Sequence, residues 1–202
     1  MDINRKILCY GDSNTYGYDP LSYFGDRYPD TIRWTALLKQ MGWTVFNCGE
    51  NGRSIPQHIW EHDALVHALS QCQPDILTIM LGSNDLLQYP DISAEDCAKR
   101  MDSFLNRLLN QNLFCHIFLI SPPPMAVGAW VSDSRQVQTS QQLSSCYKII
   151  AEKLGIYFAD AGAWNIELTF DGVHFSEEGH RAFARGIRTA LEQIMSELNQ
   201  ER

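Results

Sequence analysis

Five short apolar runs punctuate the chain: Lys6–Tyr10, Trp43–Cys48, Asp75–Leu81, Cys115–Ile120 and Ile156–Ala159. Each has the length of a strand buried on both faces, where hydrophobic residues follow one another instead of alternating with polar ones. Longer amphipathic stretches lie between and after them: Thr31–Met41, Ile55–Ser70, Ser93–Asn112, Ser134–Leu154 and Glu177–Leu198. Thr31, Ser93 and Ser176 stand where helix N-caps are expected, and Gly42 and Gly155 where helices stop. Strands alternating with helices predict an α/β fold, a three-layer α/β/α sandwich on a five-stranded parallel sheet of flavodoxin-like order. No repeat, low-complexity tract or linker interrupts the pattern, so residues 1–202 read as a single domain. In such sheets ligands bind beyond the carboxyl ends of the strands, where the strand order reverses. The turns Gly11–Gly17, Gly49–Arg53 and Gly82–Asp85 all fall on that rim, and the turn Asp171–His174 precedes the last helix within reach of it.

Composition narrows the classes of function. The 202 residues are 45% hydrophobic and 20% charged, an ordinary globular balance. A net charge of -8 argues against a protein that tracks nucleic-acid phosphates and offers no basic face to an anionic membrane. No apolar run approaches the roughly 20 residues of a membrane span, and the N-terminus shows no signal-peptide pattern. Cys9, Cys48, Cys72, Cys97, Cys115 and Cys146 are scattered without a C-x-x-C pair, which predicts reduced structural thiols and a cytoplasmic setting.

The rim turns carry the chemistry. Ser13 sits in "GDSN" at the end of the first strand. Alone, that segment is an ordinary turn, as are "DGVH" and "GSND". A serine nucleophile needs a base, a group to orient the base, and donors for a developing oxyanion. His174 supplies a base, and Asp171 three residues upstream in the same turn can fold its carboxylate onto the imidazole. The Ser13 N–H, the Gly52 N–H in "NCGENG" and the Asn84 side-chain amide in "GSND" supply three donors on one rim.

Taken in order, "GDSN", "NCGENG", "GSND" and "DGVH" resemble the four blocks of the SGNH (GDSL-type) esterase and acylhydrolase superfamily. The resemblance runs from residue 6 to about residue 195, and "ILCYGDSNTYGYDP", "RWTALL", "LISPPP" and "DGVHF" look most like its arylesterase and acetyl-ester acyltransferase branch. It implies Ser13 as nucleophile, His174 as base, Asp171 as its orienting acid, and Ser13, Gly52 and Asn84 as the oxyanion hole. It further implies hydrolysis of short acyl esters, acetyl esters above all, with acyl transfer to alcohols as a companion reaction. The expected partner is a small acyl ester; no metal or organic cofactor is implied, and members of that branch often form homo-oligomers. One residue departs from the motif. Asn14 stands where the name-giving sequence has leucine, and its amide is able to hold nearby backbone.

Other features compete for attention. Residues 58–62, "HIWEH", match the H-x-x-E-H zinc pattern, so a zinc hydrolase built on His58 and His62 is one alternative. A lysophospholipase or thioesterase, and a non-catalytic binding module, are the others. Asn14, Tyr16, Trp34 and Trp130 are the candidate pocket residues, since they border the rim and pockets are mostly apolar and aromatic. The stretch from Pro122 to Gln138 is the longest segment available to cover the site. Asp12, Asp85 and Asp160 read as residues that shape turns, and His67, His116 and His180 as structural histidines.

Overall fold

The computed structural model describes residues 5–111 and 113–200. Five parallel strands form the central sheet: β1 (Lys6–Gly11), β2 (Thr44–Gly49), β3 (Ile76–Met80), β4 (His116–Ser121) and β5 (Tyr157–Asp160). Their spatial order is β2-β1-β3-β4-β5, the flavodoxin-like arrangement that the alternation of elements predicts. Seven α-helices are described: α1 (Ser13–Tyr16), α2 (Trp34–Gln40), α3 (Ile59–Cys72), α4 (Ser83–Gln88), α5 (Ala94–Leu109), α6 (Ser134–Leu154) and α7 (Glu177–Gln200). A single 3-10 turn spans Ala161–Trp164.

Alternation of side chains along each strand divides the core into two layers. Leu8, Tyr10, Leu77, Ile79, Ile117 and Leu119 face α3, α5 and α6. Ile7, Cys9, Ile76, Met80, Phe118 and Ile120 face α2 and α7. Burial on both faces is why β1, β3 and β4 read as continuous apolar runs; the edge strands β2 and β5, expected to be buried likewise, are mostly half-buried. All six cysteines are free thiols. No helix among the described residues is long and apolar enough to cross a membrane.

The expected boundaries shift where local chemistry overrules periodicity. The helix expected over Ile55–Ser70 begins only at Ile59: Pro56 biases Ile55 away from the helical region, the Ile55 N–H is held by Asp85 at 2.9 Å, and Glu61 accepts from the Gln57 and His58 N–H groups at the helix start. The helix expected from Thr31 begins at Trp34, after a turn in which Ile32 and Arg33 N–H groups bond to the Pro29 carbonyl. Helix α5 ends at Leu109, and the expected terminus Asn112 lies outside the described residues. Ser93 caps α5 through the Asp96 N–H, the Ser176 hydroxyl accepts from the Gly179 N–H in the first turn of α7, and Gly155 closes α6 in the left-handed conformation. Asp160 holds the Gly162 N–H at 2.8 Å, the turn-shaping role expected of it.

Strand register brings the site together. Gly11 pairs with Gly49 on one side and Met80 on the other. The turns after β1, β2 and β3 therefore leave the sheet at one level, at the point where the strand order changes direction.

Candidate active site

Ser13 is the first residue of α1, a helix of one turn. Its N-cap is Asp12, whose carboxylate accepts from the Asn14 N–H at 2.9 Å while its carbonyl accepts from Thr15 and Tyr16. At the first helical position the Ser13 N–H has no intrahelical acceptor, so it stays available to a ligand. The helix is stopped at once by Gly17, at φ +91. The result is a serine held at a helix N-terminus, where partial positive charge gathers.

Across the rim, Asp171, Gly172, Val173 and His174 form a compact turn. Gly172 has φ +80, and a Cβ there would lie 2.0 Å from the Ala126 carbonyl oxygen, so both strain and contact demand glycine. The Asp171 Oδ1 accepts from the Val173 and His174 N–H groups, each at 2.9 Å. Its Oδ2 lies 2.7 Å from His174 Nδ1, and His174 Nε2 lies 2.9 Å from Ser13 Oγ. A carboxylate only accepts, so Nδ1 carries the proton and Nε2 accepts from the serine hydroxyl. Ser13, His174 and Asp171 are all buried. Burial pushes the Asp171 carboxyl up, but the hydrogen bonds from His174 and Val173 outweigh it and hold the group down at about 2.

The donor corner is built from the turns after β2 and β3. Gly52 has φ +76 and open space where a Cβ would stand. Its carbonyl accepts from Gln88 Nε2 at 3.4 Å, and the neighbouring Arg53 carbonyl accepts from Asn84 Nδ2 at 3.0 Å. Both turns are thereby locked together. Beneath them the Arg53 guanidinium donates to the Gly11 and Cys48 carbonyls, stacks 4.2 Å above the Tyr10 ring and pairs with Glu50. Sequence reasoning missed Arg53; its signal was the residue immediately after the glycine block. Asp85, expected to shape a turn, instead spans a longer distance, holding the Ile55 N–H and pairing with Arg100 at 3.0 Å.

A family model for GDSL-like lipases and acylhydrolases matches residues 9–182. The chain belongs to that family. A search of curated protein sequences finds no match. Among solved structures, the native aryl esterase of M. smegmatis superimposes with a TM-score of 0.79 at 27% identity, covering 95% of this chain and 99% of that one. A carbohydrate acetylesterase family member from Sinorhizobium meliloti gives a TM-score of 0.80 at 28% identity, with coverages of 95% and 99%. The fold is that of the SGNH hydrolases, and the protein is a serine ester hydrolase of the GDSL-like family.

The aromatic residues around this esterase's site divide into two groups. Trp130 stands half exposed with its ring 4.9 Å from that of His174. Backbone bonds from Ala126, Ala129 and Trp130 to Gly172, Phe170 and Asp171 fasten its loop along the Asp171–His174 turn. Tyr18 packs on His174 at 4.8 Å. Trp34 is elsewhere. It is 1% exposed, packs on Phe183 and donates Nε1–H to the Asn14 carbonyl at 2.9 Å, so it supports the serine turn from the core and lines no pocket. Tyr16 lies under the Arg27 guanidinium at 4.3 Å. Asn14 is buried as well, its side chain turned toward the His174 turn instead of a pocket.

The "HIWEH" segment has a local use. His58 precedes α3, and Glu61 accepts from the Gln57 and His58 N–H groups, satisfying the helix start. His62 is buried and donates Nε2–H to the Phe104 carbonyl at 3.3 Å. The pattern thus serves a helix terminus and a core contact. Among the described residues no cluster of three or more His, Cys, Asp or Glu side chains has metal-holding geometry.

Proposed function

We propose that this esterase cleaves short acyl esters, acetyl esters of sugars or aromatic alcohols foremost, through an acyl-enzyme on Ser13. The single observation that carries the reading is the unbroken hydrogen-bonded series Asp171–His174–Ser13 at 2.7 and 2.9 Å. His174 Nε2 takes the serine proton as Oγ attacks the acyl carbonyl. Asp171 holds the imidazole in the required tautomer and faces the positive charge that forms. The developing oxyanion is received by the Ser13 N–H, the Gly52 N–H and the Asn84 amide. His174 then protonates the departing alcohol, and water, activated by the same histidine, releases the acid. An alcohol in place of water completes acyl transfer. Side chains and backbone of this chain suffice for every step.

Trp130 and Tyr18 crowd the base within 5 Å, which favours a small acyl group over a long one. The aryl esterase and carbohydrate acetylesterase among the structural neighbours support the same substrate class. The test is release of p-nitrophenol from acetate, butyrate and octanoate esters by the wild type, Ser13→Ala and His174→Ala. Each substitution should lower kcat at least roughly 10³-fold, the scale on which serine triads fail. Activity that survives Ser13→Ala overturns the mechanism. Octanoate hydrolysed as well as acetate would shift the substrate class to long-chain lipids or thioesters.

A further inference from the structure

Ser13 and His174 lie 161 residues apart in sequence, yet their reacting atoms must meet at 2.9 Å. Asp171 orients the imidazole but belongs to the same turn, so it fixes the ring within its loop and not the loop against the serine. A connection between the two segments is needed, and one is present at Asn14. Its Nδ2 donates to the Val173 carbonyl at 3.1 Å, and its Oδ1 accepts from the Phe175 N–H at 2.9 Å. These are the peptide groups on either side of His174. Resting on the esterase reading above, we infer that Asn14 is a positioning residue that sets the base against the nucleophile by bracketing His174 with one amide.

The bracket is rigid because its own base is held twice. The Asn14 N–H is bonded to Asp12 and its carbonyl to Trp34 Nε1, each at 2.9 Å. Of the other N–H groups of the opposite turn, those of Val173 and His174 are taken by Asp171 and that of Gly172 by the Thr169 carbonyl. Asn14 is 4% exposed, so water has little access to these bonds. Only a planar amide of this length offers a donor and an acceptor side by side. Leucine would fill the space and leave the Val173 carbonyl and Phe175 N–H unpaired, and a turn seeking new partners carries the imidazole with it. The asparagine replaces a packing residue with a two-point strap across the site.

The test is a double-substitution cycle on p-nitrophenyl acetate hydrolysis, with Asn14→Leu made in the wild type and in His174→Ala. Alone, Asn14→Leu should lower kcat roughly 10- to 100-fold with KM changed less than about threefold, the penalty for misplacing a reacting group by up to an ångström. In the His174→Ala background it should cost less than about twofold, because a residue acting through the base has nothing left to position. Should the leucine protein fail to fold, Asn14→Ser, which removes both bonds without bulk, is read in the same cycle. Wild-type kcat in Asn14→Leu, or equal losses in both backgrounds, overturns the strap. If Ser13→Ala and His174→Ala themselves retain activity, the esterase mechanism fails instead.

Discussion

Asp12 and Asp171 flank the same serine and are both buried, yet their carboxyls are shifted in opposite directions. Burial raises Asp12 to about 6, because one N–H bond from Asn14 and the more distant His174 and Arg53 charges do not offset desolvation. Asp171, with three hydrogen bonds, is held at about 2. The consequences for stability have opposite signs. For Asp12 the folded state binds its proton more tightly than the unfolded chain, so stability falls as pH rises from about 4 to 6. Two pK units correspond to roughly 3 kcal/mol. For Asp171 stability is present above about pH 4 and is lost as pH falls toward 2. Urea unfolding of Asp12→Asn should therefore show a gain over wild type that grows between pH 4 and 6, the asparagine still capping α1. For Asp171→Asn, the deficit should be constant above pH 5 and shrink below pH 4. A gain for Asp12→Asn that is independent of pH would refute the assignment.

At the level of elements, the first turns of α3 and α7 each bury a histidine for structural reasons. His180 packs between Tyr28 and Phe175, at 5.2 and 5.4 Å, and neither ring nitrogen has a hydrogen-bond partner. Burial, aided by the charges of Arg33 and His174, lowers it to about 3. The unfolded chain then takes up the proton first, so α7 packing weakens as pH falls from about 6.5. Replacement by leucine should flatten that decline. Between pH 6.5 and 4 the wild type should lose about 3 kcal/mol more than His180→Leu, at 1.36 kcal/mol per unit, measured by urea unfolding at each pH. In α3, His62 and Glu61 are occupied by the Phe104 carbonyl and the helix start. Prolonged dialysis against EDTA should thus leave p-nitrophenyl acetate hydrolysis within about twofold of its starting rate, since a catalytic zinc site needs three free protein ligands. A chelator-sensitive rate restored by zinc would return that segment to the chemistry.

For the molecule as a whole, the site exists because three strands end at one level and their turns nest without side chains between them. Gly49, paired with Gly11, backs directly onto the serine turn: a Cβ there would lie 2.1 Å from the Tyr16 nitrogen and 2.6 Å from the Thr15 carbonyl carbon. Both contacts are backbone, so neither neighbour can rotate away. Gly49→Ala should cost at least about 1–3 kcal/mol, a fall in Tm of roughly 2–12 °C for a chain of this size, and should lower kcat as Ser13 is displaced. Thermal scans and p-nitrophenyl acetate kinetics on one preparation measure both. A variant with unchanged Tm and kcat would mean that the nested turns tolerate a gap.

Much was legible in the sequence, for physical reasons. Central strands buried on both faces read as continuous apolar runs, and the alternation of five such runs with amphipathic stretches pointed to a parallel sheet. Polar turns at their carboxyl ends then placed Ser13, Gly52 and Asn84 on one rim, with the Asp171–His174 turn within reach. Elements too short for periodicity stayed invisible, among them the four-residue α1 that carries the serine. Side-chain direction did too. A tryptophan beside a rim turn can face a ligand or the core, and only packing against Phe183 put Trp34 inside while Trp130 stayed at the mouth. The same holds for Asn14. The chain's own order set it next to Ser13, but only the tertiary structure set it against peptide groups 159 and 161 residues away, because hydrogen bonds between distant segments leave no periodic trace in a sequence.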